Sequence, residues 1–129
     1  VEVPQGLIVP VIRDADRKGL LDICREMEDL ARRAREQRLA ESEMGNAAMT
    51  VTNLGMFGVT YFTPILNLPE SIILGVGTIS DMPVARNGGL TIAPVLHLSL
   101  THDHRVNNGA QLARFLAEVI ASLNDFRWT

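Results

Sequence analysis

Residues 95–110 read VLHLSLTHDHRVNNGA, and this segment is the strongest indicator of the fold. Apolar and polar residues alternate along its first half, and this alternation is typical of a β-strand with one buried face. An Asn-Gly pair, Asn108 and Gly109, then opens a final helix, with Asn108 as the expected N-cap. The pattern therefore presents the imidazole of His104 at the end of a rigid strand, where a substrate can reach it.

The spacing of apolar residues predicts the other elements. A near-continuous apolar run indicates a buried strand, and helical spacing with charges on the other faces indicates a long helix. These rules predict strands over residues 7–12, 49–53, 71–79 and 95–103, a helix over 16–38, a loop over 40–46 and a hairpin turn over 86–90. Asp14 or Asp16 is expected to cap the long helix. The order of elements predicts an α/β two-layer sandwich with a mixed sheet, because the short hairpin rules out an all-parallel sheet.

Composition excludes several classes of protein. The chain has 129 residues, 47% of them hydrophobic, and a formal net charge of -3, so nothing in its composition suggests a nucleic-acid-binding surface. No apolar stretch reaches the roughly 18 residues that cross a bilayer, and no membrane partner is expected. The one cysteine, Cys24, excludes an internal disulfide framework and indicates a reducing compartment.

Three polar side chains are candidates for chemistry, and each has a second interpretation. An ordinary imidazole, whose pKa is near 6.5, can take a proton from a thiol of pKa about 8.5 at small cost. His104 could therefore be a general base, or it could be an idle polar residue. The hydroxyl of Thr52 could donate to the oxyanion of a tetrahedral intermediate, or Thr52 could pack as an ordinary β-branched strand residue. Asn108 could act in the site besides capping the helix. The residues alone leave these alternatives open.

The remaining polar residues near this motif are expected to be structural. Asp103 and Arg105 flank the candidate histidine and are expected to form ion pairs. His97 and His102 are expected to be surface or packing residues. Because these two histidines lack the spacing of metal ligands and Cys24 is far from them in sequence, no metal site is predicted.

Five linked motifs carry a resemblance to a known family. They are GLIVPVIRDA from Gly6, TVTNLGMFG from Thr50, FTPILNLPE from Phe62, ILGVG from Ile73 and DHRVNNG from Asp103. Together they resemble the catalytic domain of the dihydrolipoamide acyltransferases, the core components of the 2-oxoacid dehydrogenase complexes, such as the pyruvate dehydrogenase complex. The resemblance runs almost from end to end of the chain, and linked motifs in the right order are far more specific than any one alone.

The resemblance implies a fold, an activity and a site. The fold is expected to be chloramphenicol-acetyltransferase-like, with protomers that form homotrimers and then larger hollow cores. The active site would lie between two protomers, where coenzyme A enters from one side and lipoamide from the other. His104 would be the general base on the attacking thiol, and Thr52 of the neighbouring chain would stabilise the oxyanion. Asn108 stands where the family often has Asp, so it can hydrogen-bond but carries no charge.

The resemblance also implies partners and a location. Coenzyme A and lipoamide would be substrates, and lipoyl domains and the other subunits of the complex would be partners. The expected location is the bacterial cytoplasm, or the mitochondrial matrix in a eukaryote. Which residues bind coenzyme A, which acyl group is carried and how large the core is are left open.

The main departure from the family is length. Residues 1–129 correspond to the C-terminal portion of the catalytic domain, and we expect neither its preceding half nor a lipoyl or peripheral-subunit-binding domain here. A shortened, inactive core subunit is therefore one alternative. A chloramphenicol-acetyltransferase-like enzyme with a hydroxyl acceptor is another, although the motifs around Thr52 and Phe62 resemble the lipoyl-dependent family specifically.

Overall fold

The computed structural model describes residues 1–127, which divide into two compact units at Ala47 and Ala48. Over these residues, no helix is both long enough and apolar enough to span a bilayer. The first unit contains two short strands, β1 (Glu2–Val3) and β2 (Gly6–Leu7), which pair in an antiparallel hairpin, and one helix, α1 (Leu20–Arg35). Its core is small and consists of Val3, Val11, Leu30 and Ala34.

The predicted strand over residues 7–12 is wrong for most of its length. Only Leu7 of this run lies in a strand, and its side chain is 75% exposed. Pro10 has no N–H to donate to a ladder, and it makes only an isolated bridge to Met44. The proline therefore prevents this segment from continuing the sheet.

The long helix is shorter than the predicted range of 16–38. A separate 3₁₀ helix, Ala15–Arg17, precedes it, and α1 begins after Gly19. The prediction that Asp14 or Asp16 caps α1 is wrong: Asp14 has a left-handed backbone at φ 48° and makes no capping hydrogen bond. The helix ends where Gln37 takes a positive φ of 55°.

Hydrogen bonds between charged side chains hold the segment after α1 against the helix. The guanidinium of Arg33 donates to both carboxylate oxygens of Glu43, at 2.7 and 2.5 Å, and its Nε donates to Asp29 at 2.6 Å. These hydrogen bonds from Arg33 hold the pKa of Glu43 at about 2. The predicted loop over residues 40–46 contains a 3₁₀ helix, Glu41–Glu43, and Arg13 donates to three of the carbonyls around it.

The second unit is built on a mixed sheet of three strands, in the order β3–β4–β5. Strand β3 (Thr50–Asn53) is parallel to β4 (Ile72–Arg86), and β5 (Gly89–His102) is antiparallel to β4. A turn at Asn87 and Gly88, both with positive φ, joins the two long strands and matches the predicted hairpin. The predicted α/β class with a mixed sheet is confirmed.

One amphipathic helix, α2 (Gly109–Asp125), follows the sheet. Leu112 is buried at 6% exposure, whereas Ile120 and Leu123 on the same apolar stripe remain 43% and 56% exposed. A groove of about 350 Å³ runs between β5 and the first turns of α2. The helix therefore packs on the sheet mainly through its N-terminal part, next to the candidate histidine.

Candidate active site

His104 lies in a tight turn just beyond the last strand. Strand β5 ends at His102, so His104 is two residues past the sheet and its side chain is exposed. The backbone N–H groups of Val106 and Asn107 donate to the carbonyl of Asp103, at 3.1 and 3.0 Å, and close the turn. The structure therefore presents the imidazole to solvent at the strand end, as the sequence predicts.

The turn is fastened to the start of β4. The N–H of Asp103 donates to the carbonyl of Ser71 at 2.9 Å, and the side-chain amide of Asn107 donates to the Ser71 hydroxyl at 3.1 Å. The guanidinium of Arg105 pairs with the Asp103 carboxylate at 2.6 Å, which confirms the predicted ion pair. The hydrogen bonds from Arg105 hold the pKa of Asp103 at about 2. Each of these bonds restricts the backbone that carries His104.

A second histidine packs beside His104. The ring centroids of His102 and His104 are 5.3 Å apart, and the ring planes are tilted by 38°. The Nε2 atom of His102 is buried and has no hydrogen-bond partner among residues 1–127, and the same holds for Nδ1 of His97. Both residues are half-buried, and the prediction that they are surface or packing residues stays a prediction. No three metal-ligating side chains cluster within the described part of the chain.

Asn108 begins α2 immediately after the turn. Its backbone is extended, and its side-chain oxygen accepts the N–H of Gln111 at 2.9 Å. This is the N-cap geometry that the sequence predicts. A role of Asn108 in the site, beyond the cap, stays a prediction.

Thr52 lies on the far strand of the sheet from His104. It is half-buried, pairs with Gly75 of β4, and Gly75 in turn pairs with Ser99 of β5. A Cβ at Gly75 would lie 2.5 Å from the Ser99 hydroxyl oxygen, so this row of the sheet leaves no space for a side chain between its two hydroxyl residues. The Ser99 hydroxyl donates to the carbonyl of Phe62 at 2.7 Å.

Within one chain, the sheet register does not bring Thr52 to His104. Thr52 is aligned across the sheet with Gly75 and then with Ser99 of β5. From Ser99, strand β5 continues for three more residues to His102 before the turn begins. Two strand spacings are about 10 Å across, and three residues along a strand add about 10 Å. This separation exceeds hydrogen-bond reach, so the two side chains meet only if they come from different chains.

Sequence reasoning missed a buried polar cluster near the start of β3. The carboxylate of Glu70, 5% exposed, accepts a hydrogen bond from the hydroxyl of Thr50, 9% exposed. The amide of Asn67 donates to the same carboxylate at 3.2 Å. An acidic residue inside the largely apolar run FTPILNLPE is the signal that could have pointed to it.

Comparison with known sequences shows where this chain belongs. Residues 1–128 match the family model described as 2-oxoacid dehydrogenases acyltransferase (catalytic domain). This chain belongs to that acyltransferase family. The predicted family resemblance is therefore confirmed.

Relatives of two kinds match this acyltransferase chain. It is 44% identical over 124 residues to the dihydrolipoyllysine-residue acetyltransferase component of the pyruvate dehydrogenase complex of Bacillus subtilis (strain 168). This match covers 96% of this chain and 28% of that protein. It is 40% identical over 127 residues to the mitochondrial dihydrolipoyllysine-residue succinyltransferase component of the 2-oxoglutarate dehydrogenase complex of Sus scrofa. This match covers 98% of this chain and 28% of that protein. The chain thus spans little more than a quarter of these curated relatives.

Solved structures of acyltransferase cores have the same fold. The dihydrolipoamide acetyltransferase of Azotobacter vinelandii matches with a TM-score of 0.92 and 44% identity, over 97% of this chain and 51% of that one. That enzyme was studied for the role of one serine, one histidine and one asparagine in its catalytic mechanism. The cubic core of the pyruvate dehydrogenase multienzyme complex matches with a TM-score of 0.92 and 45% identity, over 97% of this chain and 51% of that one. The predicted fold is confirmed, and the chain spans about half of each solved chain.

Proposed function

We propose that this chain carries half of the catalytic domain of a dihydrolipoamide acyltransferase, which moves an acyl group between dihydrolipoamide and coenzyme A. One observation carries the proposal. The serine, histidine and asparagine studied in the Azotobacter vinelandii enzyme are separated along that chain by the same intervals as Thr52, His104 and Asn108 here. Thr52 keeps the hydroxyl that the serine has there, and the other two residue types are identical.

The exposed imidazole of His104 is the general base. A ring nitrogen takes the proton from the attacking thiol, and the thiolate then adds to the carbonyl carbon of the thioester. The tetrahedral adduct collapses by breaking its bond to the other sulfur, which takes the proton back from the imidazolium. A neutral imidazole and a thiol have pKa values close enough for both transfers to be rapid.

The hydroxyl of Thr52 stabilises the oxygen anion of the tetrahedral adduct. One such donor lowers the barrier by about 3 kcal/mol when it is aimed at the oxyanion rather than at the ground-state carbonyl. The register of β3, β4 and β5 holds this hydroxyl far from the His104 turn of its own chain. We therefore infer that a neighbouring chain supplies Thr52, and that the active unit is a homotrimer within a larger core.

The partners follow from this assignment. Coenzyme A and the lipoyl groups of lipoyl domains are the substrates, and the other subunits of a 2-oxoacid dehydrogenase complex are the partners. We place the protein in the bacterial cytoplasm or the mitochondrial matrix, because relatives come from bacteria and from mitochondria.

An acyl-transfer assay tests the proposal. Dihydrolipoamide is offered with acetyl-coenzyme A or succinyl-coenzyme A, and the rates of the wild type, His104→Ala and a histidine control, His97→Gln, are compared. We expect His104→Ala to lower kcat by about 1000-fold, which is within the range for loss of a general base. Equal rates for the wild type and His104→Ala would contradict the enzyme assignment and favour an inactive core subunit.

A further inference from the structure

The cluster around Glu70 buries a carboxylate without a cation. No Lys or Arg side chain within residues 1–127 pairs with Glu70, although only 5% of the residue is exposed. Its hydrogen-bond donors are the hydroxyl of Thr50 and the amide of Asn67. Hydrogen bonds are directional, whereas apolar contacts are not. The cluster therefore fixes the geometry of its donors more tightly than apolar packing does.

One of those donors belongs to the strand that carries Thr52. Side chains two residues apart on a strand point to the same face, so Thr50 and Thr52 lie side by side on β3. Strand β3 has only four residues, and within residues 1–127 it pairs with one neighbour, β4, through Ile73 for Thr50 and Gly75 for Thr52. Such a short edge strand depends on fastenings at its ends to hold its position.

Hydrogen bonds hold both ends of β3 in place. At its C-terminal end, the N–H of Leu54 donates to the carbonyl of Val76 at 3.1 Å, and the side chain of Asn53 accepts the N–H of Gly55 at 2.8 Å. At its N-terminal end, the side-chain fastening is the hydrogen bond from Thr50 to Glu70. Thr52 lies between the two.

We propose that Glu70 is a positioning residue for acyl transfer: by accepting the hydrogen bond of Thr50, it holds β3 so that the Thr52 hydroxyl points at the oxyanion. The inference rests on the proposed function and deepens it. Glu70 touches no reacting atom and acts only through β3. A loss of the cluster lowers the rate of the chemical step, while substrate binding is unchanged.

A double-mutant cycle tests this role in the full chain. The kcat and KM values for Glu70→Gln are measured in the wild type and in a Thr52→Ala background, with Glu118→Gln on the exposed face of α2 as matched control. Glutamine has one acceptor oxygen for the two donors, Thr50 and Asn67, and its amide group is itself a donor, so the cluster loses an acceptor. We expect Glu70→Gln to lower kcat by about 10-fold to 100-fold, the loss that a displaced catalytic group causes, with KM unchanged. In the Thr52→Ala background we expect no further loss, because the hydroxyl to be aimed is gone.

A second pair of variants keeps the test valid if Glu70→Gln does not fold. Thr50→Ser retains the hydroxyl that donates to Glu70, and Thr50→Val removes it at nearly the same volume. Thr50→Ser should retain most of the rate, and Thr50→Val should lose as much kcat as Glu70→Gln. Thermal unfolding of each variant, followed by circular dichroism, checks that the fold is retained.

The outcomes separate the two proposals. An equal loss from Glu70→Gln in both backgrounds, or no loss in either, overturns the positioning role and leaves the proposed function standing. An effect carried instead through Ser71 and the His104 turn would also survive in the Thr52→Ala background. Equal rates for the wild type and His104→Ala overturn the proposed function, and the positioning role with it.

Discussion

The side chain of Asn108 decides how the last helix begins. Its oxygen accepts the N–H of Gln111, one of the four backbone donors that a helix N-terminus leaves without an internal partner. The same residue follows the turn that carries His104, so the cap orients α2 and the turn together. One residue thus connects helix stability with the geometry of the proposed site.

Removing this cap should cost stability. We expect Asn108→Ala to lower the free energy of unfolding by about 1 kcal/mol, measured by urea denaturation, because the Gln111 N–H loses its acceptor. Asn108→Ser keeps a capping oxygen and should stay close to the wild type. If Asn108 also acts in the site, Asn108→Ser should lose acyl-transfer rate at nearly unchanged stability. A fully stable Asn108→Ala would contradict the role of the cap.

The ion pair between Arg33 and Glu43 predicts a pH dependence. In the folded chain the pKa of Glu43 is about 2, below its ordinary value of 4.5, because of the hydrogen bonds from Arg33. The pair therefore contributes stability fully above pH 4.5 and loses that contribution as the pH falls from 4.5 towards 2. We expect Glu43→Gln to lower the unfolding temperature at pH 7 and to flatten its fall in this acid range.

A matched variant controls for the loss of charge alone. Glu41→Gln removes an exposed carboxylate from the same 3₁₀ helix. Its unfolding temperature should fall with decreasing pH as steeply as that of the wild type. Unfolding temperatures measured by circular dichroism between pH 2 and pH 7 give the comparison. If the unfolding temperatures of Glu43→Gln and the wild type fall equally as the pH decreases, the pair adds no stability.

At the scale of the elements, a backbone contact holds the loop after β3. A Cβ at Gly77 would lie 2.1 Å from the carbonyl oxygen of Thr60, and a Cβ at Gly55 would lie 2.5 Å from the carbonyl oxygen of Gly77. The loop therefore packs backbone against backbone on the β-bulge of β4, between Val76 and Ile79. Only glycine allows this approach, directly after the strand that carries Thr52.

A single methyl group at this contact should be costly. We expect Gly77→Ala to lower the free energy of unfolding by about 3 kcal/mol, the upper part of the range for overpacking, because the obstacle is backbone. Gly109→Ala is the matched control, since a Cβ there meets no atom within 4 Å. Urea denaturation of both variants compares them. Equal stability of the two would mean that the loop can move away from β4.

Elements with local signals were predictable from the sequence. The apolar spacing of α2, the Asn-Gly turn at residues 87–88 and the cap at Asn108 each depend on neighbours a few residues apart. The hairpin strands were underestimated because Pro83 and Pro94 argue against strands. Pro83 lies in β4 beyond the residues that pair with β3, and Pro94 lies opposite this part of β4, in β5. Within the described residues each arm of the hairpin is an edge there, and an edge tolerates proline.

The site was predictable only where a motif marks it. Thr52, His104 and Asn108 lie in motifs that resemble a known family, which is why the sequence could propose them. The Glu70 cluster joins Thr50 to a residue twenty positions away, so no local pattern announces it. Likewise, the sheet register that separates Thr52 from His104 is a property of strand pairing, which the sequence does not state.

At the scale of the whole molecule, the second unit exposes large apolar side chains. Ile65, Leu90 and Met56 are 90%, 83% and 76% exposed. Covering such side chains with another chain would remove apolar surface from water, which is favourable. These side chains are in line with the proposed homotrimer, in which each chain would give Thr52 to one site and His104 to the next.

Mixing two inactive variants tests this shared site most directly. His104→Ala chains keep Thr52, and Thr52→Ala chains keep His104, so a site between one chain of each kind can be complete. Co-expressed in equal amounts, the two variants should give about a quarter of the wild-type acyl-transfer rate, because about a quarter of the interfaces in random cyclic trimers pair the intact residues. A mixture no more active than the two variants measured separately would show that the two residues do not meet between chains, and would contradict the account.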